Sequence, residues 1–131
     1  LPRISSNVSV YPIEPEADPM RDWLASLDRL QREVPDDVLV LPSHGKIFRG
    51  APERLQALID EHQRGLDKLL EMCDTPRTVL DLFPALFKSA ITRRNLIMAT
   101  GESMAHVNYL LARGELELAE EGAGVNYYRR T

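Results

Sequence analysis

The sequence predicts a mainly helical α+β chain that closes on a β-hairpin. Three observations predict it. Apolar residues recur at three- and four-residue spacing over most of the 131 positions. Prolines and glycines fall where those periodic stretches begin and end. After Gly114 the period changes to two, on either side of Gly122-Ala123-Gly124. With 44% hydrophobic and 27% charged residues and a net charge of −4, the composition is that of a globular protein and not of a disordered or fibrous one. The length fits one domain, or two small units sharing a core.

The elements follow in order. Residues 1–17 hold three prolines and read as irregular, with Val8 and Val10 as strand candidates. Asp18-Pro19 starts a helix, with a carboxylate cap followed by a proline whose missing N–H costs nothing at the first helical position. Trp23, Leu24, Leu27 and Leu30 carry that helix to about Glu33, and Pro35 ends it. Val38-Leu39-Val40-Leu41 is an unbroken apolar run and predicts a strand buried on both faces. A lone strand cannot build a sheet, so its neighbours are expected in a part of the protein outside this chain, which also starts at Leu1 and not at Met. An apolar strand left open in this way invites association, a homodimer included.

Gly50-Ala51-Pro52-Glu53 opens the longest helix, with Leu55, Leu58, Ile59, His62, Leu66, Leu69, Leu70 and Cys73 as its stripe. Thr75-Pro76 restarts a short helix with Val79, Leu80 and Leu82 inward, closed by Pro84. Residues 93–99 predict a further helix that Gly101 breaks, and 102–113 another, with Met104, Val107, Leu110 and Leu111 inward. Residues 115–119 and 125–129 are the hairpin strands, and 120–124 the turn. Three helices followed by a hairpin is the order of a winged helix. The chain therefore divides into residues 1–50, a connecting helix over 51–74 and a winged helix over 75–131.

Several functions are disfavoured at this stage. No apolar run nears the ~20 residues needed to span a bilayer, so no membrane role is expected. A single cysteine, Cys73, excludes an internal disulfide and suits a reducing cytoplasm. Residues 1–74 carry 9 Lys/Arg against 14 Asp/Glu, a balance that repels phosphate. Residues 75–131 carry 7 against 6. Their basic pairs, Arg93-Arg94 and Arg129-Arg130, are set against Glu115, Glu117, Glu120 and Glu121, so nucleic-acid contact is expected to be weak at most. Ser5, Ser6 and Ser103 lack a Gly-x-Ser-x-Gly setting, and no phosphate-cradling glycine loop is present.

One residue stands out. His44 follows the apolar run directly, between Ser43 and Gly45, where small neighbours let an imidazole approach a metal. The plainer reading is a hydrogen bond within a tight loop. His62, on the apolar stripe between Leu58 and Leu66, reads as a core or interface histidine, with a supporting contact near a site as the alternative. His106 reads as structural or surface, and Cys73 as a small core residue.

Residues 2–11 (PRISSNVSVY), Asp18-Pro19, Ser26-Leu27 and above all Val40-Leu41-Pro42-Ser43-His44-Gly45, followed by a helix with Glu61-His62-Gln63-Arg64, resemble the later half of metallo-β-lactamase-superfamily hydrolases. Residues 75–131 resemble the winged-helix extension of one branch. Ser43, where many relatives have glycine, and Gly65 in mid-helix depart from the pattern. The resemblance implies a C-terminal fragment of an αβ/βα metallo-β-lactamase sandwich followed by a winged helix bordering the substrate cleft. It implies a centre of one or two zinc ions, with His44 as its last histidine ligand. In such a centre zinc lowers the pKa of a bound water toward ~7 and presents hydroxide to an ester-like bond of a small-molecule substrate. The His-x-His-x-Asp-His loop and bridging aspartate of that centre have no counterpart here, so no catalytic residue is assigned in this chain. The missing N-terminal part is the implied partner, zinc is not expected to be held tightly, and the fragment is expected to be inactive. The runner-up is a winged-helix module that binds nucleic acid or a protein.

Overall fold

The structure, a computed structural model, describes residues 6–131. Pro2 to Ser5 of the resembling stretch lie outside the described residues. Four α-helices and a two-stranded antiparallel sheet make a mainly helical α+β fold.

Helix α1 (Pro19–Glu33) begins as the sequence predicts. The Asp18 carboxylate accepts from the Arg21 amide at 3.2 Å, and Pro19 occupies the first turn. Val34, just ahead of Pro35, turns extended and ends it. Helix α2 (Ala51–Met72) packs against α1. Leu27 of α1 meets Leu55 and Leu58 of α2, with Trp23, Leu24 and Ile59 along the seam. Gly50 enters α2 with φ +86°, a conformation that a β-carbon penalises.

The segment after α2 departs from expectation. A 3₁₀ turn (Leu80–Leu82) runs into the short helix α3 (Phe83–Leu86), and Pro84 sits in the first turn of α3, where proline is tolerated, instead of closing a helix. Leu82 is fully buried, but Leu80 is 58% exposed and does not point inward.

The larger correction concerns Gly101. Residues 96–112 form one continuous helix, α4 (Leu96–Ala112), and Gly101 lies buried inside it. It breaks nothing, because its role is close approach. The Val10 amide donates to the Gly101 carbonyl at 3.0 Å, and a β-carbon on residue 101 would stand 3.0 Å from the Val10 carbonyl oxygen. Val8 and Val10 form no strand. They are buried against Met20 and Ala105, with Trp23 and Met104 at the edge. Asn108 of α4 holds the following loop by donating to the Pro15 and Ala17 carbonyls, both at 2.9 Å.

Strands β1 (Leu116–Gly122) and β2 (Val125–Arg130) pair from Leu116↔Arg130 to Gly122↔Val125, with a register shift between Leu118 and Glu120. The strands run further than the sequence pattern suggests, and only Ala123-Gly124 remains as the turn, both at positive φ (51° and 76°). Two positive-φ residues give the twist that a tight hairpin needs. The outer edge of β2 is covered by Arg77, which exchanges two backbone bonds with Tyr128 (2.9 and 2.8 Å). Leu116 and Tyr128 close the main core with Leu66, Leu69, Cys73, Leu82, Val107 and Leu110.

Candidate metal-ligand loop

The predicted strand over 38–41 is reduced to one bridge. Val40 and Phe48 exchange backbone bonds of 2.8 and 3.2 Å, and no other residue of the run is paired. Nor is the run buried on both faces, since Leu39 is 46% and Leu41 72% exposed. Among the described residues no sheet stands beside it, so the apolar side chains are left uncovered.

That bridge gives residues 41–47 their form. They make a closed loop, pinned at its base by Val40 and Phe48. The Arg49 guanidinium, donating to the Asp37 carbonyl, and the Gly50 amide, donating to the Asp36 carbonyl at 3.2 Å, brace the base from below. His44 is at the middle of the loop and exposed, and Gly45 makes the bend beside it at φ +93°. No hydrogen bond holds the His44 imidazole among the described residues, so the plainer reading of a tight-loop hydrogen bond has no partner there.

The two other histidines lie together, which the sequence reading did not find. The ring centroids of His62 and His106 are 5.9 Å apart. The Trp23 indole donates to His62 Nε2 at 3.2 Å, and the Ser6 hydroxyl lies 2.8 Å from the same nitrogen. Since indole N–H only donates, Nε2 is bare and the His62 proton is on Nδ1. His106 Nδ1 lies 2.8 Å from the Glu102 carbonyl, which only accepts, so its proton is on Nδ1 as well. Burial pushes the His106 pKa down to about 4 and lowers that of His62. Both are neutral packing histidines. His62 is half-buried with the hydrogen-bond partner expected of a packed histidine, and His106, 6% exposed, is structural and not on the surface. The signal was Gly65: a β-carbon there would stand 3.0 Å from a Leu86 methyl and 3.4 Å from His106 Nε2, so the mid-helix glycine marks where α3 and α4 press onto α2.

Cys73 is fully buried, and burial pushes its thiol pKa up to about 11, which makes it inert. Of the basic pairs, Arg129 is 2.5 Å from Glu117 and Arg130 3.9 Å from Asp74, so each hairpin arginine faces a carboxylate. Arg93 and Arg94 are exposed in the turn just before α4. No described helix is long and apolar enough to cross a membrane.

The family model of the metallo-beta-lactamase-like C-terminal domain matches residues 66–131. The chain belongs to the metallo-beta-lactamase-like C-terminal domain family. A beta-lactamase domain protein from Burkholderia ambifaria is 38% identical, with a TM-score of 0.91 over 98% of this chain. A metallo-beta-lactamase family protein from Thermus thermophilus is 29% identical, with a TM-score of 0.77 over 97%. This chain spans 38% of the length of each. No curated protein matches it.

Members of the wider family generally bind zinc, so the donor set can be tested against that ion. Zinc takes three or four protein ligands. Among the described residues no three His, Cys, Asp or Glu side chains converge. His62 and His106 are committed to Trp23, Ser6 and Glu102. The residues of this chain therefore do not fit a complete zinc centre, and His44 is the one imidazole left open to a metal.

Proposed function

We propose that the chain is part of a zinc-dependent hydrolase of the metallo-β-lactamase fold, to which it contributes His44 as one ligand of a shared centre. The observation that carries this reading is the loop of residues 41–47. Its base is fixed by two backbone bonds, and its tip offers an exposed imidazole that no described group holds. Ligand geometry needs a fixed backbone and an unspent side chain, and the loop supplies both. Exposure of Val38, Leu39, Leu41 and Ile47 around it supports a second body seated there. The rest of the parent protein is that body in this reading.

The second half, residues 75–131, is read as a winged helix; because residues 96–112 make one helix where two were expected, this reading needs the end of α2 as its first helix, before α3, α4 and the β1–β2 hairpin. What supports it is the way the hairpin folds back on the helices through the Arg77–Tyr128 bridge and the buried Leu116 and Tyr128. Its role is to frame the substrate cleft. Nucleic-acid binding is disfavoured, because Glu117 and Asp74 already face the two hairpin arginines.

The test is direct. The 131-residue chain with added zinc is assayed on thioester, lactam and phosphodiester substrates beside its His44→Ala variant. The expected result is no turnover above that control, since one ligand does not hold a catalytic ion. Turnover that His44→Ala removes would mean the chain builds a centre by itself. Tight, salt-sensitive nucleic-acid binding lost in Arg93→Ala/Arg94→Ala would favour the binding-module reading.

A further inference from the structure

The first turns of α4 and the segment of residues 7–15 enclose a cavity of about 720 Å³, open on one side. Its volume is in the range of small-molecule sites. Its walls are apolar and wet: Tyr11 is 68%, Ile97 82% and Met98 44% exposed, with Met104 deeper in. Its charge is unusual for this protein. The chain carries 20 Asp and Glu, yet no acidic residue lines this cavity, and its single charged wall residue is Arg94. No described carboxylate pairs with that guanidinium. An apolar trough with one uncompensated cation at the edge complements a hydrocarbon body with one negative end.

We propose that this groove binds a free medium-chain carboxylate, with its alkyl chain along Ile97, Met98 and Met104 and its carboxylate at Arg94. The alkyl chain supplies the affinity by leaving water, and Arg94 selects the sign of the head group. Methionine suits such a wall, since its unbranched, polarisable side chain adapts to a flexible chain. The floor is firm, because Val10 and Gly101 are tied by the backbone bond that joins the two walls.

The four methionines provide the readout. Decanoate, below its micelle concentration, is titrated into the chain carrying ¹³C-methyl methionine. The Met98 and Met104 methyl resonances are expected to shift saturably, while Met20 and Met72, outside the groove, stay in place. Each methylene added from hexanoate to decanoate should tighten binding at least about twofold, as expected for partial burial of each group. Arg94→Ala should weaken decanoate about three- to fivefold, the range of an exposed ion pair, and leave decanol unchanged. Ile97→Glu should abolish decanoate binding.

Four outcomes overturn the proposal. No shift at Met98 and Met104 up to millimolar decanoate removes it. A decyltrimethylammonium ion that binds as well as decanoate removes the charge selection. Concentration-dependent shifts of the same methyls without decanoate, with a dimer in sedimentation, would assign the groove to a second copy of the chain. Loss of the response in a longer protein that contains this chain would assign it to the rest of that protein.

Discussion

Gly101→Ala separates two opposed effects that the structure allows to be weighed. In an isolated helix the change is favourable, because alanine is the better helix former by about 1 kcal/mol. In this protein the new methyl would stand 3.0 Å from the Val10 carbonyl oxygen and 3.2 Å from Ser9 Cβ. The first neighbour is backbone and cannot rotate away, so residues 8–10 must retreat by a few tenths of an ångström. That retreat weakens the 3.0 Å bond from the Val10 amide to the Gly101 carbonyl, a loss of about 1 kcal/mol. It also partly unseats Val8 and Val10, 9% and 8% exposed. Fully burying a valine is worth about 1.5–3 kcal/mol, so losing a third of both costs roughly 1–2 kcal/mol more. The net expectation is a destabilisation of about 1–2 kcal/mol. Urea unfolding followed by Trp23 fluorescence gives the total, and hydrogen exchange at the Val10 amide locates it. The variant should unfold at lower urea, with the Val10 amide exchanging faster. A stability gain near the helix-propensity value, with Val10 protection intact, would refute this account of the glycine.

Three more predictions follow from single groups. His106 has a folded-state pKa of about 4 against an ordinary value near 6.5, so the unfolded chain binds more protons between those pH values. Its contribution is whole above pH 6.5 and is lost as pH falls toward 4, by roughly 3 kcal/mol. Glu102, whose carboxyl pKa is raised by burial, works in the opposite sense. His106→Asn keeps a donor for the Glu102 carbonyl and should flatten the stability–pH curve over that window; an unchanged slope would contradict the assignment. Ala123 holds φ 51° in the hairpin turn, so Ala123→Gly should raise thermal stability by about 0.5–1 kcal/mol, and a lower melting temperature would count against a strained turn. Ser103 buries a hydroxyl with no partner among the described residues, so Ser103→Ala should be neutral or stabilising by up to about 1 kcal/mol in urea melts, and a loss of more than that would reveal a hidden partner.

The elements with strong local signals are legible in the sequence. Asp18-Pro19 marks the start of α1, the leucine stripe from Leu55 to Leu69 marks the buried face of α2, and the change of period after Gly114 marks the hairpin. Gly101 reads as a helix stop because a glycine that permits close approach and one that ends a helix are the same letter, and only the position of Val10 distinguishes them. Leu80 reads as inward because an α-helical stripe is the default, whereas the turn before α3 is 3₁₀, which rotates side chains away from that stripe. The run over 38–41 shows its apolar character plainly, but burial depends on a neighbouring sheet, and none stands beside it among the described residues. At the site, spacing and composition show the loop and the histidine in it, while the ligand role of His44 comes from the family resemblance and not from the local pattern. The pairing of His62 with His106 is not, because it joins two helices across a contact that sequence distance does not encode.

Zinc content decides the central claim most directly. A longer protein that carries this chain after its own N-terminal part would be purified as wild type, His44→Ala and His62→Ala, and bound zinc measured per mole by plasma mass spectrometry after dialysis. His44→Ala is expected to lose zinc that the wild type retains, while His62→Ala, whose imidazole is held by Trp23 and Ser6, keeps it. Equal zinc in wild type and His44→Ala, or loss in His62→Ala alone, would contradict the assignment of His44 as a ligand.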